Sequence, residues 1–154
     1  MGQLDFVTQW TFDAPIARVW ALLCEPEKFP FWWPGFEEVK TISGSGDVGS
    51  VTEHRVNVGF RLRLRFRMEA LERKDPKFMR LGVAGDSAGY TEWRLRQDGA
   101  STAVIHVWNV DVQRASLRFM SRLPGAIGFF KGQHMHTMAA GRVNLERLLR
   151  DSPA

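Results

Sequence analysis

The chain has four histidines, and histidine is the side chain best suited to hold a polar group or move a proton near neutral pH. They are His54, His106, His134 and His136. His134 and His136 are two residues apart in a segment with helical periodicity, so their side chains point about 200° apart and cannot chelate one metal ion. With Cys24 as the one cysteine, these spacings contain no metal-binding motif, and we expect no metal.

His134 lies on the apolar stripe of a predicted helix over residues 126–150, in register with Phe130 and Met138. A histidine on such a stripe has two interpretations. It can be a core residue whose ring is hydrogen bonded to the protein, or a polar anchor for a ligand in an internal cavity. The sequence leaves both open.

His106 lies on a predicted strand, residues 102–112, where it alternates with Trp108. If this set of side chains faces inward, His106 forms a polar pair with the helix histidine. Ile105 and Val107 form a second apolar set on the same strand. The alternation therefore does not decide which face of the strand is buried.

Two further patterns resemble reactive or cofactor-binding motifs. The pattern Gly44-x-Gly46-x-x-Gly49 matches a dinucleotide-binding motif by letter. It precedes a strand instead of a helix, so we interpret it as a turn and expect no nucleotide cofactor. Cys24 lies in an apolar stretch and is interpreted as a small core residue instead of a nucleophile. No side chain is assigned as catalytic.

Residues 61–68 alternate arginine with apolar side chains: Arg61, Leu62, Arg63, Leu64, Arg65, Phe66, Arg67 and Met68. Period two places the arginines on one face of a strand and the apolar residues on the other. We interpret the arginines as a solvated outer face, because burying four unpaired charges is prohibitive. The alternative is an anion-binding ladder for phosphate or a lipid headgroup. Aromatics are not interleaved on the arginine face, so we expect no nucleic-acid partner.

The proline-interrupted stretch 26–34 carries four large aromatic side chains: Phe29, Phe31, Trp32 and Trp33. Such a cluster is either a hydrophobic plug under a loop or a lid over a cavity entrance. Both interpretations remain at this point.

These residues must be positioned by a small number of regular elements. Alternation predicts a strand over 3–12, and Asp13 and Pro15 predict the start of a helix, with Asp13 as its N-cap. Further strands are predicted at 36–43, 50–58, 60–73, 78–84, 89–97 and 102–112, and helices at 115–123 and 126–150. Short turns between the strands favour an antiparallel sheet. The buried stripe of the last helix is predicted to be Ile127, Phe130, His134, Met138, Gly141, Leu145 and Leu148.

Composition limits the class of protein. The 154 residues, 44% of them hydrophobic, fit a single domain with a real core. The net charge of +4 permits an anionic partner without requiring one. No apolar run approaches the length of a membrane span, and no leader is recognised, so we expect a cytoplasmic location.

Several phrases together resemble the polyketide cyclase/dehydrase-like branch of the START/Bet v 1 superfamily. Asp13-Ala14-Pro15 followed by Val19-Trp20-Ala21-Leu22-Leu23 resembles its opening, and Phe31-Trp32-Trp33-Pro34-Gly35-Phe36 resembles its Trp/Pro/Gly loop. Gly85-Asp86, Trp93-Arg94-Leu95 and Val107-Trp108-Asn109-Val110 resemble its late strands, and Asn144-Leu145-Glu146-Arg147-Leu148 its closing helix. The resemblance covers nearly the whole chain. It implies an α+β helix-grip fold, in which a curved seven-stranded antiparallel sheet wraps around the long C-terminal helix.

The resemblance also implies a function. We expect one domain, residues 1–154, that binds a small hydrophobic molecule (a lipid, polyketide or aromatic metabolite) in an apolar cavity of roughly 300–1,000 Å³. Gly141 and Ala140 are expected to leave room for it. Expected ligand-binding residues are Trp32, Trp33, Leu64, Phe66, Met68, Trp93, His106, Trp108, Phe130, His134 and Met138. The alternative is an aromatase/cyclase with His106 and His134 as proton shuttles and Trp93 and Trp108 as walls. A third class is a regulatory protein with a vestigial pocket.

Overall fold

Seven strands form one antiparallel sheet, which is curved around a long C-terminal helix. The computed structural model describes residues 3–59 and 62–151. The sheet order is β1-β7-β6-β5-β4-β3-β2, and every neighbouring pair is antiparallel. The strands are β1 Gln3–Phe12, β2 Phe36–Ser43, β3 Val51–Asn57, β4 Arg63–Lys74, β5 Phe78–Gly85, β6 Ser87–Asp98 and β7 Ser101–Val112. This arrangement confirms the predicted α+β helix-grip fold.

The helices lie between β1 and β2 and after β7. They are α1 Ile16–Leu23, a 3-10 helix Pro26–Lys28, α2 Phe29–Trp32, α3 Ala115–Ser121 and α4 Ala126–Asp151. No helix in the described part of the chain combines the length and apolar character needed to cross a membrane.

The arginine side chains of β4 point away from the core. Arg63, Arg65 and Arg67 are exposed, whereas Phe66 and Met68 are buried. Arg63 donates to Glu37 of β2 at 2.7 Å and Arg67 to Glu53 of β3 at 3.3 Å, so carboxylates of these two strands partly neutralise this face. The predicted outer-face placement is confirmed for these three arginines. Arg61 lies outside the described residues.

The inward face of β7, which the sequence left open, is the set with even residue numbers. Val104, His106 and Val110 are buried, and Trp108 is half-buried against the second hydrophobic cluster of the core. Ile105 faces outward and is exposed. Pairing with both β1 and β6 decides this facing, because the register of the neighbours aligns His106 with Trp93.

The predicted N-cap of the first helix is wrong. Pro15 holds the N-cap position, and the Asp13 carboxylate accepts a hydrogen bond from the Ser101 hydroxyl at 2.8 Å. The Gln97 side-chain oxygen accepts from the Ile16 amide at 2.8 Å instead. The first turn of α1 is thus satisfied by the β6–β7 hairpin, a partner distant in sequence.

The buried stripe of α4 differs from the prediction at both ends. Ile127 is exposed, and Leu149 is buried where Leu148 is only half-buried. Because a helix has 3.6 residues per turn, its buried stripe shifts gradually around the helix surface. The buried residue after Leu145 is therefore Leu149, four residues later. Ile127 lies at the start of the helix, next to the turn from α3, and is not covered.

A small residue is needed at position 141 for a reason other than the predicted one. A Cβ atom at this position would collide with the indole ring of Trp33. The indole Nε1 of Trp33 donates a hydrogen bond to the Thr137 carbonyl at 2.9 Å. The space left by the glycine is therefore filled by protein and is not available to a ligand.

Candidate functional site

A cavity of about 200 Å³ lies between the inner face of the sheet and α4. This volume is below the predicted range of roughly 300–1,000 Å³. The difference has a structural cause: large rings occupy part of the interior. Trp33 contacts Trp10, Phe29, Phe36 and Trp93 with ring centroids 4.7–6.0 Å apart.

The lining is mostly apolar, with a minority of uncharged polar side chains. The polar groups come from Ser50, Thr52, His54, Asn57, Ser87, Thr91, His106, Gln133, His134 and Thr137. Among residues 3–59 and 62–151, Arg73 is the only Lys, Arg, Asp or Glu that lines the cavity. The walls can therefore offer hydrogen bonds but little charge.

Ten of the eleven predicted ligand-binding residues line this cavity: Trp33, Leu64, Phe66, Met68, Trp93, His106, Trp108, Phe130, His134 and Met138. Nine of them come from β4, β6, β7 and α4, and the tenth, Trp33, directly follows α2; they meet because the three strands present alternate residues to α4. Whether these side chains bind a ligand stays a prediction.

Trp32, the eleventh residue, does not line the cavity. Its ring stacks on Trp33 at 5.3 Å, and its carbonyl accepts from the Asn144 amide at 2.7 Å. Phe29, Trp32 and Trp33 are buried, whereas Phe31 is 87% exposed. Three of the four rings of this stretch are thus buried as a hydrophobic plug, and two of them, Phe29 and Trp33, also line the cavity. The spacing of the four residues could not show which rings would do so.

His106 on β7 has a tautomer that its neighbours determine. The Thr91 hydroxyl oxygen lies 2.9 Å from His106 Nε2 and 2.8 Å from the Val107 carbonyl oxygen. The carbonyl can only accept, so the hydroxyl donates its proton to Val107 and accepts from His106 Nε2–H. His106 Nδ1 then carries a free lone pair. It is buried and has no hydrogen-bond partner in the described chain.

His134 on α4 faces His106. The two imidazole rings are nearly parallel, at 20°, with centroids 6.2 Å apart. Phe6 packs against the His134 ring, with centroids 4.6 Å apart. His134 Nε2 is buried and has no partner within residues 3–59 and 62–151. Burial lowers the pKa of His134 to about 4, and burial together with the nearby His134 lowers the pKa of His106 to about 3. Both rings are neutral at pH 7.

His54 on β3 is a third buried histidine of the cavity, which the sequence pattern did not predict, and its Nδ1 also lacks a partner in the described chain. Its Nε2 lies 2.8 Å from the Thr52 hydroxyl, and its ring stacks on Phe66 at 5.4 Å. Burial lowers the pKa of His54 to about 4. Its burial follows from its position opposite Phe66 in the β3–β4 register, and this register is known only once the strands are paired.

The far end of the cavity is bounded by Cys24 and Arg73. Burial raises the pKa of the Cys24 thiol to about 11, which keeps the thiol protonated and unreactive. Arg73 donates to both carboxylate oxygens of Asp75, at 2.6 and 2.9 Å, and to the Gly46 carbonyl at 2.7 Å. Its charge is thus already balanced. In the described chain, no three His, Cys, Asp or Glu side chains are grouped so that they could hold a metal ion.

Residues 3–150 match the sequence model of the family described as polyketide cyclase/dehydrase and lipid transport. The chain belongs to this family. The match covers all seven strands and almost all of α4. Among curated proteins, no sequence match to this chain is found.

Solved structures share the fold of this polyketide cyclase/dehydrase family member at low sequence identity. The Zhui aromatase/cyclase from Streptomyces sp. R1128 superposes with a TM-score of 0.76 at 16% identity, covering 98% of this chain and 97% of that one. A START superfamily protein from Mycobacterium smegmatis has a TM-score of 0.74 at 13% identity, with coverages of 96% and 97%. Ginseng major latex-like protein 151 from Panax ginseng has a TM-score of 0.69 at 11% identity, also with coverages of 96% and 97%. At such identities the likeness shows the fold alone.

Proposed function

We propose that this protein binds a small, uncharged, mainly apolar molecule that carries a hydroxyl group. The observation that carries the proposal is a pair of buried ring nitrogens, His106 Nδ1 and His134 Nε2, which lack partners in the described chain and belong to facing rings in a mostly apolar cavity. An unpaired buried polar group costs about 1–3 kcal/mol. A ligand that satisfies both nitrogens recovers this cost, so the pair favours a ligand with a matching polar group.

The tautomer of His106 defines the chemistry of that group. His106 Nδ1 can only accept, whereas neutral His134 can hold its proton on Nε2 and donate. A ligand hydroxyl within reach of both nitrogens can donate to His106 Nδ1 and accept from His134 Nε2–H. A carboxylate would bring an uncompensated charge into an apolar site, which is costly.

The cavity volume limits the ligand to a compact molecule. A cavity of about 150 Å³ lined by aliphatic and aromatic side chains can hold benzene. The volume of about 200 Å³ here therefore suits a one- or two-ring aromatic compound. A long-chain lipid would require the cavity to enlarge.

The proposal is tested with 1-naphthol and naphthalene as probes, and binding is followed by isothermal titration calorimetry. We expect 1-naphthol to bind more tightly, and His134→Phe to weaken its binding about tenfold, equivalent to about 1.4 kcal/mol. Naphthalene should bind His134→Phe at least as well as it binds the unchanged protein.

The matched control is His136→Phe, which makes the same change on the exposed face of α4 and should leave both affinities unchanged. The proposal is wrong if the two probes bind alike and His134→Phe does not separate them. A lower melting temperature with unchanged naphthol affinity would show that His134 is a structural residue.

A cyclase reaction in the same cavity is the second candidate. It is favoured by the free lone pair of His106 and by the structural likeness to the Zhui aromatase/cyclase. The low pKa values of His106 and His134 oppose it, because a base is most effective when its pKa lies near the working pH. Conversion of a linear poly-β-carbonyl thioester by the protein, but not by His106→Phe, would establish the enzyme instead of the carrier.

A further inference from the structure

The corner between α3 and α4, residues 115–131, leaves large apolar side chains in water. Phe119 is 67% exposed, Leu123 50% and Ile127 40%. They are spaced at intervals of four residues across the turn. Exposed apolar groups that occur together, instead of singly, mark an interaction surface.

The backbone keeps this corner compact. The Leu123 amide donates to the Met120 carbonyl at 3.0 Å, and the Ala126 amide donates to the Leu123 carbonyl at 3.1 Å. The turn therefore holds the end of α3 close to the start of α4. Phe119, Leu123 and Ile127 therefore lie in or beside one compact turn.

The segment of chain that contains the corner carries charge of one sign. Residues 112–145 contain five Lys or Arg and no Asp or Glu, although the chain has 17 acidic residues in all. Arg118, Arg122 and Lys131 are exposed on the corner itself. In the part of the chain that the structure describes, none of these three forms an ion pair. Their charges are available to an anionic surface.

The same corner also closes one end of the cavity. Leu117 on α3 and Phe130 on α4 line the cavity and are buried. The outer side of the corner thus contacts solvent, while its inner side contacts the site where an apolar ligand would lie.

We propose that the α3–α4 corner docks on a membrane surface that contains anionic lipid. Phe119, Leu123 and Ile127 enter the interface, and the arginines and Lys131 contact the headgroups. An exposed apolar cluster flanked only by cations is the composition of segments that lie in the membrane interface. The inference goes beyond the proposed function, because docking does not require a ligand in the cavity.

The test is co-sedimentation of the full chain with vesicles of phosphatidylcholine alone and of phosphatidylcholine mixed with phosphatidylglycerol. We expect binding to the mixed vesicles only, and weaker binding as salt is added. Arg118→Gln and Arg122→Gln should each weaken binding about fivefold. The double variant Phe119→Ser, Leu123→Ser should weaken it about tenfold or more. These positions are exposed, so the melting temperature should change little.

Two control variants match these changes at exposed positions elsewhere. Arg96→Gln with Arg147→Gln removes two cations, and Val7→Ser with Val143→Ser removes two apolar side chains. Both should keep vesicle binding. Equal losses in the controls, or equal binding to both kinds of vesicle, would overturn the proposal.

If the corner bound an acidic protein instead of a membrane, the result would be different. Retention on immobilised polyglutamate that depends on Phe119 and Leu123, without vesicle binding, would overturn the lipid proposal. The naphthol titration is made without vesicles, so its outcome and that of the docking test are independent.

Discussion

His106 and His134 are the side chains whose chemistry most constrains the site. Each has one ring nitrogen buried without a partner, and burial holds the pKa values of both rings well below 6.5. The Thr91 hydroxyl gives His106 the role of acceptor. At the scale of single residues, the site is therefore a pair of neutral rings in mostly apolar surroundings, in which His106 Nδ1 can only accept and His134 Nε2 lacks a partner in the described chain.

The buried histidines also predict how stability depends on pH. The pKa values of His54 and His134 fall from 6.5 to about 4, and that of His106 falls to about 3. The unfolded chain binds more protons than the folded one in this range, so stability is full above pH 6.5 and is lost as the pH falls towards 4. Each ring contributes a slope of up to about 1.4 kcal/mol per pH unit. Urea unfolding measured at successive pH values between 7 and 4 should show this decline.

A variant separates the histidine contribution from other acid effects. His54→Phe keeps the stacking on Phe66 and removes one titrating ring, so the slope should fall by about a third. An unchanged slope in His54→Phe would mean that His54 does not carry the predicted pKa shift.

At the scale of elements, α4 is fixed against the sheet by the contact of Trp33 with Gly141. The indole occupies the space above the glycine and donates to the Thr137 carbonyl one turn earlier. Asn144 adds a hydrogen bond to the Trp32 carbonyl. The short helix α2 and the adjacent Trp33 therefore contact the long helix near its middle. The α4 residues that line the cavity lie on the N-terminal side of this contact.

Gly141→Ala should destabilise the protein although alanine favours helix formation. The gain in helix propensity is about 1 kcal/mol, and overpacking against a rigid indole costs about 1–3 kcal/mol. We expect a net loss of about 1 kcal/mol in urea unfolding. Gly132→Ala is the matched control on the same helix, because no atom lies within 4 Å of its added Cβ. It should stabilise the protein. Stabilisation by both substitutions would show that Trp33 moves aside freely.

At the scale of the whole molecule, the curved sheet and α4 enclose more interior than their side chains fill. The aromatic cluster around Trp33 fills one region of the interior, and the cavity of about 200 Å³ remains beside it. Phe66 and Met68 of the second cluster also line the cavity.

Filling this cavity should remove binding without unfolding the chain. Ala70 on β4 is buried and lines the cavity, so Ala70→Met places a flexible side chain in the empty space. We expect the affinity for 1-naphthol to fall at least tenfold while the melting temperature stays the same or rises. Ala84→Met, on an exposed position of β5, is the control and should bind as before. Unchanged naphthol affinity in Ala70→Met would place the binding site elsewhere.

The order of elements and the inward face of β4 were determined by the sequence alone. Alternation of arginine with Leu64, Phe66 and Met68 admits only one facing at an acceptable cost, because buried arginine charges need partners. The predicted strands and helices differ from those of the structure by only a few residues at their ends. Nine of the ten predicted residues that line the cavity lie on β4, β6, β7 or α4, where the period of the strand or helix aligns them on one face.

Only the tertiary structure decided which polar groups lack partners and where space remains. The facing of β7, the tautomer of His106 and the burial of His54 depend on neighbours in other strands: Trp93, Thr91 and Phe66. The N-cap of α1 depends on Gln97, and the space at Gly141 is filled by Trp33. These contacts join residues that are distant in sequence. Periodicity describes only one element at a time, so it could predict a cavity but not its volume or its hydrogen bonds.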